Sequence, residues 1–204
     1  KACILYSEMS IFGTAEGVVR HKPILGDPIS RALTHLERMD TSMFRGLIRG
    51  FALEQIAGPR TSARVENFGA DLAMLAEAAV TGEFRLVDGA TYFKRLHDRG
   101  THLRWYAWPD ARKREAWISL AAWMAAAIVP AGQTPCDCWR LFTAVLDRFA
   151  VGRGGDRWMF WELDDEDQVA RRDLMQKILG QIFVDRFIHL PTLLQKDPQR
   201  IEAD

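Results

Sequence analysis

Apolar residues recur along most of this chain at intervals of three and four positions, which is the spacing of one face of an α-helix. Gly82 ends the clearest series, which consists of Val65, Phe68, Leu72, Leu75 and Ala79. Its mean step of about 3.5 residues predicts a helix that packs along another helix. Alternation with a period of two is confined to 83–87 and 102–106, which we interpret as short strands or extended linkers.

Capping residues indicate where further helices begin. Asp27 and Thr134 each stand directly before a proline, a combination that is typical of the first turn of a helix. Thr41 is expected to cap another helix, which ends at 58–59. The apolar face of that helix would be formed by Phe44, Leu47, Ile48 and Phe51.

Three more helices complete the predicted set. Asp88 is expected to cap a short helix that ends near Gly100, and a longer helix runs from Asp110 to Pro130. The last helix extends from about 164 to about 189. Because the connections are short, we predict an all-α fold, a single-domain bundle of roughly seven to nine helices with little or no β-structure. This domain would span 1–190, with a short tail at 191–204.

Composition excludes several classes of protein. The chain has 204 residues, of which 48% are hydrophobic, and 27 basic side chains balance 27 acidic ones. This balance excludes a disordered acidic tail and a basic nucleic-acid coat. Three cysteines cannot form a disulfide scaffold, so we expect reduced thiols and a cytoplasmic location.

No membrane span is expected in this segment. The longest apolar run, 116–130, is shorter than the ~20 residues that a membrane-spanning helix needs. The sequence also lacks the pattern of a signal peptide. These observations leave open that the chain is the soluble part of a membrane-associated protein.

The segment 92–114 carries the most distinctive chemistry. Seven cations and two carboxylates give it a net charge of +5, and Tyr92, Phe93, Trp105, Tyr106 and Trp108 are interleaved with them. Arginine with tryptophan and tyrosine is typical of protein-binding hot spots, and also of contacts with single-stranded nucleic acid. An acidic run at 156–167 offers a partner within the chain. The basic segment therefore faces either that run or another molecule.

We predict a non-enzymatic interaction module, a component of a larger bacterial assembly, that binds protein partners with acidic character. The predicted contact residues are Lys94, Arg95, Arg99, Arg104, Trp105, Trp108, Arg112, Lys113 and Arg114. A second contact is predicted at Trp158, Phe160 and Trp161. The alternative function is that of a nucleic-acid-binding accessory protein that uses the same basic segment. The oligomeric state stays open.

A thiol-based redox sensor or enzyme is the second alternative. Cys136 and Cys138 follow Pro135 in the first turn of a predicted helix, where the helix dipole lowers the pKa of a thiol. No histidine spacing predicts a metal site, and the glycine-rich loop 152–156 lacks the lysine of a phosphate-binding loop. Hydrolase and kinase motifs are also absent. We therefore predict no catalytic residue, metal or cofactor.

Overall fold

A four-stranded sheet overturns the predicted all-α bundle. The computed structural model describes residues 1–56, 67–96, 105, 107–151, 173, 176–177 and 180. Within these residues, five α-helices accompany the sheet, so the protein has a mixed α/β fold. The prediction of a helical bundle with little or no β-structure is wrong.

The sheet is built around its first strand. The strands are β1 (Ala2–Gly13), β2 (Gly17–Val19), β3 (Leu47–Ile48) and β4 (Glu83–Leu96). β4 pairs in parallel with β1 over 83–86 and again over 91–96. β2 and β3 pair antiparallel with different parts of β1. A strand has two hydrogen-bonding edges, so β2 and β3 share the edge opposite to β4. The helices between β1 and β4 supply the crossover that a parallel pair needs.

Two shifts of register explain why the sequence pattern did not reveal β1. The pairing with β4 is irregular between Ala2 and Ile4 and again between Tyr6 and Glu8. Buried side chains consequently do not alternate with exposed ones along β1, because each shift resets the period of two. The apolar and aromatic side chains that form the strand were present in the sequence without the expected spacing.

β4 contains a large bulge at a position where a helix was predicted. Leu86 pairs with Tyr6 and Thr91 with Glu8, so 87–90 on β4 lie opposite Ser7 alone. Gly89 has a φ of 74°, a left-handed conformation that glycine adopts readily. The predicted helix capped by Asp88 is therefore wrong, because Asp88 and Gly89 belong to a bulge inside a strand.

The helices confirm several of the predicted boundaries. They are α1 (Pro28–Arg38), α2 (Gly50–Gln55), α3 (Ala70–Thr81), α4 (Asp110–Ile128) and α5 (Pro135–Val151). The Asp27 carboxylate accepts hydrogen bonds from the backbone N–H groups of Ile29 and Ser30, both at 3.0 Å, and so caps α1. The hydroxyl of Thr134 accepts a bond from the Asp137 N–H at 3.1 Å and caps α5.

The helix predicted from Thr41 onward is wrong. A 3-10 turn (Ser42–Arg45) is followed by β3 and α2 instead. Gly46 leaves the helical region with a ψ of −179° and lies against β1, where a Cβ would clash with the carbonyl oxygen of Leu5. Leu47, expected on an apolar helix face, pairs with Leu5 in the sheet and is 76% exposed.

α3 lies between two apolar cores. Leu72 and Ala76 pack with α1, α4 and α5, whereas Leu75 and Ala79 pack with the sheet and α2. The apolar seam predicted along this helix therefore does not face one neighbouring helix. It divides between a helical layer and a sheet layer, which is why α3 is apolar on two sides.

Parts of the prediction fall outside the described residues. The helix expected from about 164 to 189 is described only at 173, 176–177 and 180, all of which are helical. The tail at 191–204 is not among the described residues, and the single-domain boundary stays a prediction. Within the described part of the chain, no helix combines the length and the apolar character needed to cross a membrane.

Candidate functional site

The structure divides the predicted binding segment between two elements. Lys94 and Arg95 lie near the end of β4, whereas 110–114 form the first turns of α4. Arg99 and Arg104 lie outside the described residues. The segment therefore does not form one continuous strand or helix.

Trp105 and Trp108 belong to the helical core, although the sequence predicted them as contact residues. Trp108 is 8% exposed, and Trp105 packs edge-on against Phe68 with 4.9 Å between ring centres. The ring centres of Trp108 and Phe68 are 6.1 Å apart. These tryptophans anchor the start of α4 and present little surface to a partner.

The cations at the start of α4 are engaged within the chain. The guanidinium of Arg112 lies 4.2 Å from the ring centre of Trp108, a cation–π contact. The ammonium of Lys113 is 3.5 Å from a carboxylate oxygen of Asp110. Arg114 is exposed and also interacts within the chain. This half of the predicted segment is thus partly satisfied by its own neighbours.

The other half of the segment carries an exposed apolar surface. Phe93 and Val18 both lie beside Ser10 in the sheet, one on each side, so their side chains project from the same face. Phe12 follows two residues after Ser10 on that face and pairs with Arg95. We call this surface, formed by Phe12, Val18, Phe93 and Arg95, the sheet-end patch.

The patch is strongly exposed and carries a free positive charge. Phe93 is 68% exposed, Val18 60% and Phe12 45%. Among the described residues, Arg95 has no ion pair, whereas Arg20 beside the patch is paired with Glu8 at 3.3 Å. Neighbouring exposed apolar side chains mark contact surfaces more often than scattered ones do.

A cavity of about 280 Å³ lies at the β4 bulge, between β1, β4 and the 3-10 turn. We call it the bulge cavity. Its polar lining includes Tyr6, Ser7, Ser42, Arg45 and Thr91, and its apolar lining includes Leu5, Met9, Leu47 and Val87. Met9 and Tyr92 are register partners one residue away from Ser10 and Phe93, so the cavity and the sheet-end patch lie on opposite faces of the sheet.

His21, Asp40 and Ser42 form a polar network beside the cavity, which only Ser42 of the three lines. A carboxylate oxygen of Asp40 contacts His21 Nδ1, and the hydroxyl of Ser42 lies 2.6 Å from His21 Nε2. The other Asp40 oxygen accepts the hydroxyl of Ser42 and, at 2.8 Å, its backbone N–H. Every member of the network therefore contacts both of the others.

The three residue types are those of a Ser–His–Asp nucleophile, but the arrangement differs. In such a site the hydroxyl proton is directed at the imidazole, and the carboxylate lies on the far side of the ring. Here Asp40 competes with His21 for the Ser42 proton and also holds the Ser42 backbone in an Asx turn. The geometry is that of a rigid cap on the 3-10 turn.

Tyr6 brings an unsatisfied donor to the bulge cavity. The residue is 4% exposed, and its buried hydroxyl has no hydrogen-bond partner among the described residues. Burial raises the pKa of Tyr6 to about 12. The hydroxyl therefore keeps its proton near neutral pH, but its oxygen is closed to solvent, so an acceptor reaches it only when neighbouring side chains move.

Two cationic side chains, those of Arg45 and Lys94, lie beside the same cavity. Arg45 lines it, with its guanidinium carbon 6.0 Å from the ring centre of Tyr92. Lys94 projects from the same face of β4 as Tyr92, and its pKa is lowered by partial burial and then by the nearby charge of Arg45. Neither cation has an ion pair among the described residues. An anion bound between them would relieve their repulsion.

The two cysteines near the start of α5 lie in different surroundings. Cys136 is exposed, whereas Cys138 packs against the helical core. Burial and then the charge of Asp137 raise the pKa of Cys138. Residues two apart on a helix also point in different directions, which separates the two sulfur atoms.

Other predicted contacts remain untested. Trp158, Phe160, Trp161 and the acidic run at 156–167 lie outside the described residues. The bulge cavity has no counterpart among the predicted sites, because its lining comes from three stretches that are far apart in the chain. The available signal was the pair Asp88-Gly89 inside an apolar and aromatic stretch, which is typical of a bulge.

Comparisons with known proteins identify no relative of this chain. No family model matches the chain, and neither a curated protein nor a solved structure matches it. We therefore base the proposed function on the geometry of the described residues.

Proposed function

We propose that this protein is an interaction module that binds a partner protein through the sheet-end patch. The observation that carries this proposal is the exposure of Phe93, 68%, beside Val18 and Arg95 on one face of the sheet. Exposed apolar surface is unfavourable in water by about 25 cal/mol for each Å², so burying three such side chains favours association. Phe93 and Arg95 of the predicted basic segment thus belong to the proposed contact surface, whereas Trp105 and Trp108 do not.

The partner that fits this surface is an extended segment with apolar and acidic side chains. Ile24 pairs with β4 at Phe84, but no described strand pairs with 91–96 on the edge opposite to β1. A partner segment can add a strand there, since open sheet edges accept main-chain hydrogen bonds. Its apolar side chains would cover Phe93, and its carboxylates would pair with Arg95.

Trp105 and Trp108 would support binding without contacting the partner. They fix the start of α4 to the helical core, as their contacts with Phe68 indicate. Membership in a larger bacterial assembly, and a second contact at Trp158, Phe160 and Trp161, belong to the same proposal.

Photocrosslinking identifies the class of partner directly. Phe93 is replaced by benzoylphenylalanine in cells that make the protein, and the adducts formed on illumination are identified by mass spectrometry. We expect a protein adduct whose crosslinked peptide is acidic. The matched control places the same group at Trp139, an aromatic residue that is 56% exposed on α5. An equal yield of the same protein adducts from positions 93 and 139 would contradict the proposal.

Substitution then tests the patch with the purified partner. Phe93→Ser is expected to weaken binding by at least about tenfold, the loss typical of a central aromatic contact residue, while Trp139→Ser leaves the dissociation constant unchanged. Both variants should keep the helix content of the parent protein. Unchanged binding by Phe93→Ser would exclude the patch.

Nucleic acid is the second candidate, because aromatic and arginine side chains on an open sheet face also stack and pair with single-stranded bases. The same photocrosslinking would give oligonucleotide adducts in place of peptide adducts. Affinity for a labelled single strand would then fall steeply with salt, since phosphate contacts release counterions.

A further inference from the structure

We propose that the bulge cavity binds a small organic acid, whose anionic group lies on Arg45 and whose apolar body lies against the leucine, methionine and valine side chains of the lining. This site lies on the face of the sheet opposite to the sheet-end patch. It is therefore distinct from the face that carries Phe93 and Val18, although Thr91 and Tyr92 of its lining lie on the edge to which a partner strand would add.

The shape of the cavity suits a ligand of this size. Its volume, about 280 Å³, is near the lower end of the range for small-molecule sites. Leu5, Met9, Leu47 and Val87 form the apolar part of its lining, with a few polar groups between them. A mainly apolar lining with a few convergent polar groups is the usual composition of a site for an organic ligand.

Arg45 determines the chemical class of the ligand. Its guanidinium can pair with two oxygens of a carboxylate or a phosphate at once. No described carboxylate pairs with Arg45, and Lys94 adds a second positive charge beside it. Asp40 and Asp71 both lie close enough to Lys94 to act on its pKa, and Asp71 is also near Arg45, but neither carboxylate forms an ion pair with these cations. The Arg45 guanidinium is therefore available to pair directly with an anionic ligand.

Tyr6 supplies a second polar group beside the site. Its hydroxyl is unpartnered but closed to solvent, so a ligand oxygen reaches it only when the side chains that cover it shift, and accepting its proton would then remove the cost of the missing hydrogen bond. The ring of Tyr6 is held in place by an edge-on contact with His21, with 6.2 Å between ring centres.

Four simple probes separate the requirements for charge and for apolar surface. Benzoate and phenyl phosphate contain both parts, inorganic phosphate lacks the apolar body, and benzyl alcohol lacks the charge. Binding is measured by amide chemical shifts of the isotopically labelled protein at millimolar probe concentration. We expect saturable shifts at Tyr6, Arg45 and Tyr92 with benzoate or phenyl phosphate, and much weaker ones with the other two probes. The stronger of the two binders distinguishes a carboxylate site from a phosphate site.

Three variants test the assignment of residues. Arg45→Gln should weaken binding of the better probe by about tenfold or more, because a charge-assisted bond is lost, and Tyr6→Phe by about fivefold. The matched control is Arg49→Gln, which removes an exposed arginine four residues away that does not line the cavity. Tyr6→Phe removes an unpartnered hydroxyl and should leave the unliganded protein as stable as before or more so.

Two results would overturn the proposal. One is the absence of saturable shifts with both benzoate and phenyl phosphate while the amide spectrum shows a folded protein. The other is an equal loss of affinity in Arg45→Gln and Arg49→Gln, which would indicate general attraction to surface charge. Neither result bears on the photocrosslinking at Phe93, so the cavity and the partner surface can fail separately.

Discussion

The Nε of Arg31 donates a hydrogen bond of 2.6 Å to the carbonyl oxygen of Ala79, in the last turn of α3. The same guanidinium donates to Val80 at 3.0 Å and to Gly26. The last carbonyl groups of a helix have no partner within the helix, so this buried side chain satisfies groups that would otherwise be orphaned. It thereby joins the C-terminal end of α3 to the start of α1.

Arg31→Met is expected to lower the free energy of unfolding by about 3 kcal/mol, because one buried and two partly buried carbonyl oxygens lose a charged donor. Arg31→Lys should cost less, since one ammonium can reach only part of the set. Urea unfolding followed by circular dichroism measures both. Arg49→Met, at an exposed arginine, should have little effect, and an equal loss there would contradict the special role of Arg31.

His35 is expected to make the protein sensitive to acid. It is fully buried in α1, and its Nε2 lies 3.0 Å from the carbonyl oxygen of Leu72. Burial lowers the pKa of His35 to about 4, from 6.5 in the unfolded chain. The unfolded state then binds the extra proton first, so stability should fall as the pH drops from about 6.5 to about 4, by roughly 3 kcal/mol in total.

His35→Gln provides the comparison, because glutamine can still donate to Leu72 and does not titrate. Urea midpoints are measured for both proteins between pH 4 and pH 8. The stability advantage of the parent protein over His35→Gln should shrink below pH 6.5 and stay constant above it. Parallel curves over the whole range would show that His35 is not responsible.

Capping residues in the sequence correctly predicted the helix starts at Pro28 and Pro135, because a cap involves only neighbouring residues. Asp27 and Thr134 cap their helices through hydrogen bonds to residues at most three positions away, so the sequence near each cap contains the whole interaction. β1 depends instead on pairing with residues about eighty positions later, and its bulges remove the period of two. Gly46 interrupts the helix predicted from Thr41 for a similar reason, since its close contact with Leu5 forms only across the folded sheet.

The candidate site was predicted less well than the helices. Aromatic and basic residues drew attention to 92–114, but sequence alone could not separate Trp108, which anchors the core, from Phe93, which is exposed. Both are large aromatic residues within four positions of an arginine, and the packing of Phe68 against Trp108 distinguishes them. The bulge cavity had no local signal, because Tyr6, Arg45 and Tyr92 come together only in the folded sheet.

The three thiols should react at different rates. Cys136 is exposed and is expected to react first with a disulfide reagent at pH 8, at about the rate of a free cysteine. Cys138 should react more slowly, because burial and the charge of Asp137 raise its pKa. Cys3 should react last, since it is buried, donates to the Ala78 carbonyl oxygen at 3.2 Å and has a pKa of about 11.

Peptide mapping of the labelled sites after quenching measures this order. All three thiols should react at similar rates once the protein is unfolded in urea. A rate at Cys136 or Cys138 far above that of a free cysteine would contradict this prediction and would support the alternative of a thiol-based sensor.

Gly69 should be difficult to replace, because backbone conformation and packing both require glycine there. Its φ is 67°, and a Cβ would lie 2.5 Å from a methyl carbon of Leu120, which is 1% exposed on α4. Gly69→Ala is therefore expected to lower the free energy of unfolding by about 2–4 kcal/mol, combining left-handed strain with overpacking. Urea unfolding measures the loss, and Gly50→Ala, where nothing lies within 4 Å of the added Cβ, should leave stability unchanged.

A double-mutant cycle separates the two causes. Leu120→Ala alone should cost about 2–5 kcal/mol, because it leaves a cavity in the helical core. In that background the methyl clash of Gly69→Ala is relieved, so the second substitution should cost only about 1 kcal/mol, from the positive φ. If Gly69→Ala costs the same with and without Leu120, the two residues are not in contact, and the packing of α3 against α4 must differ from that described.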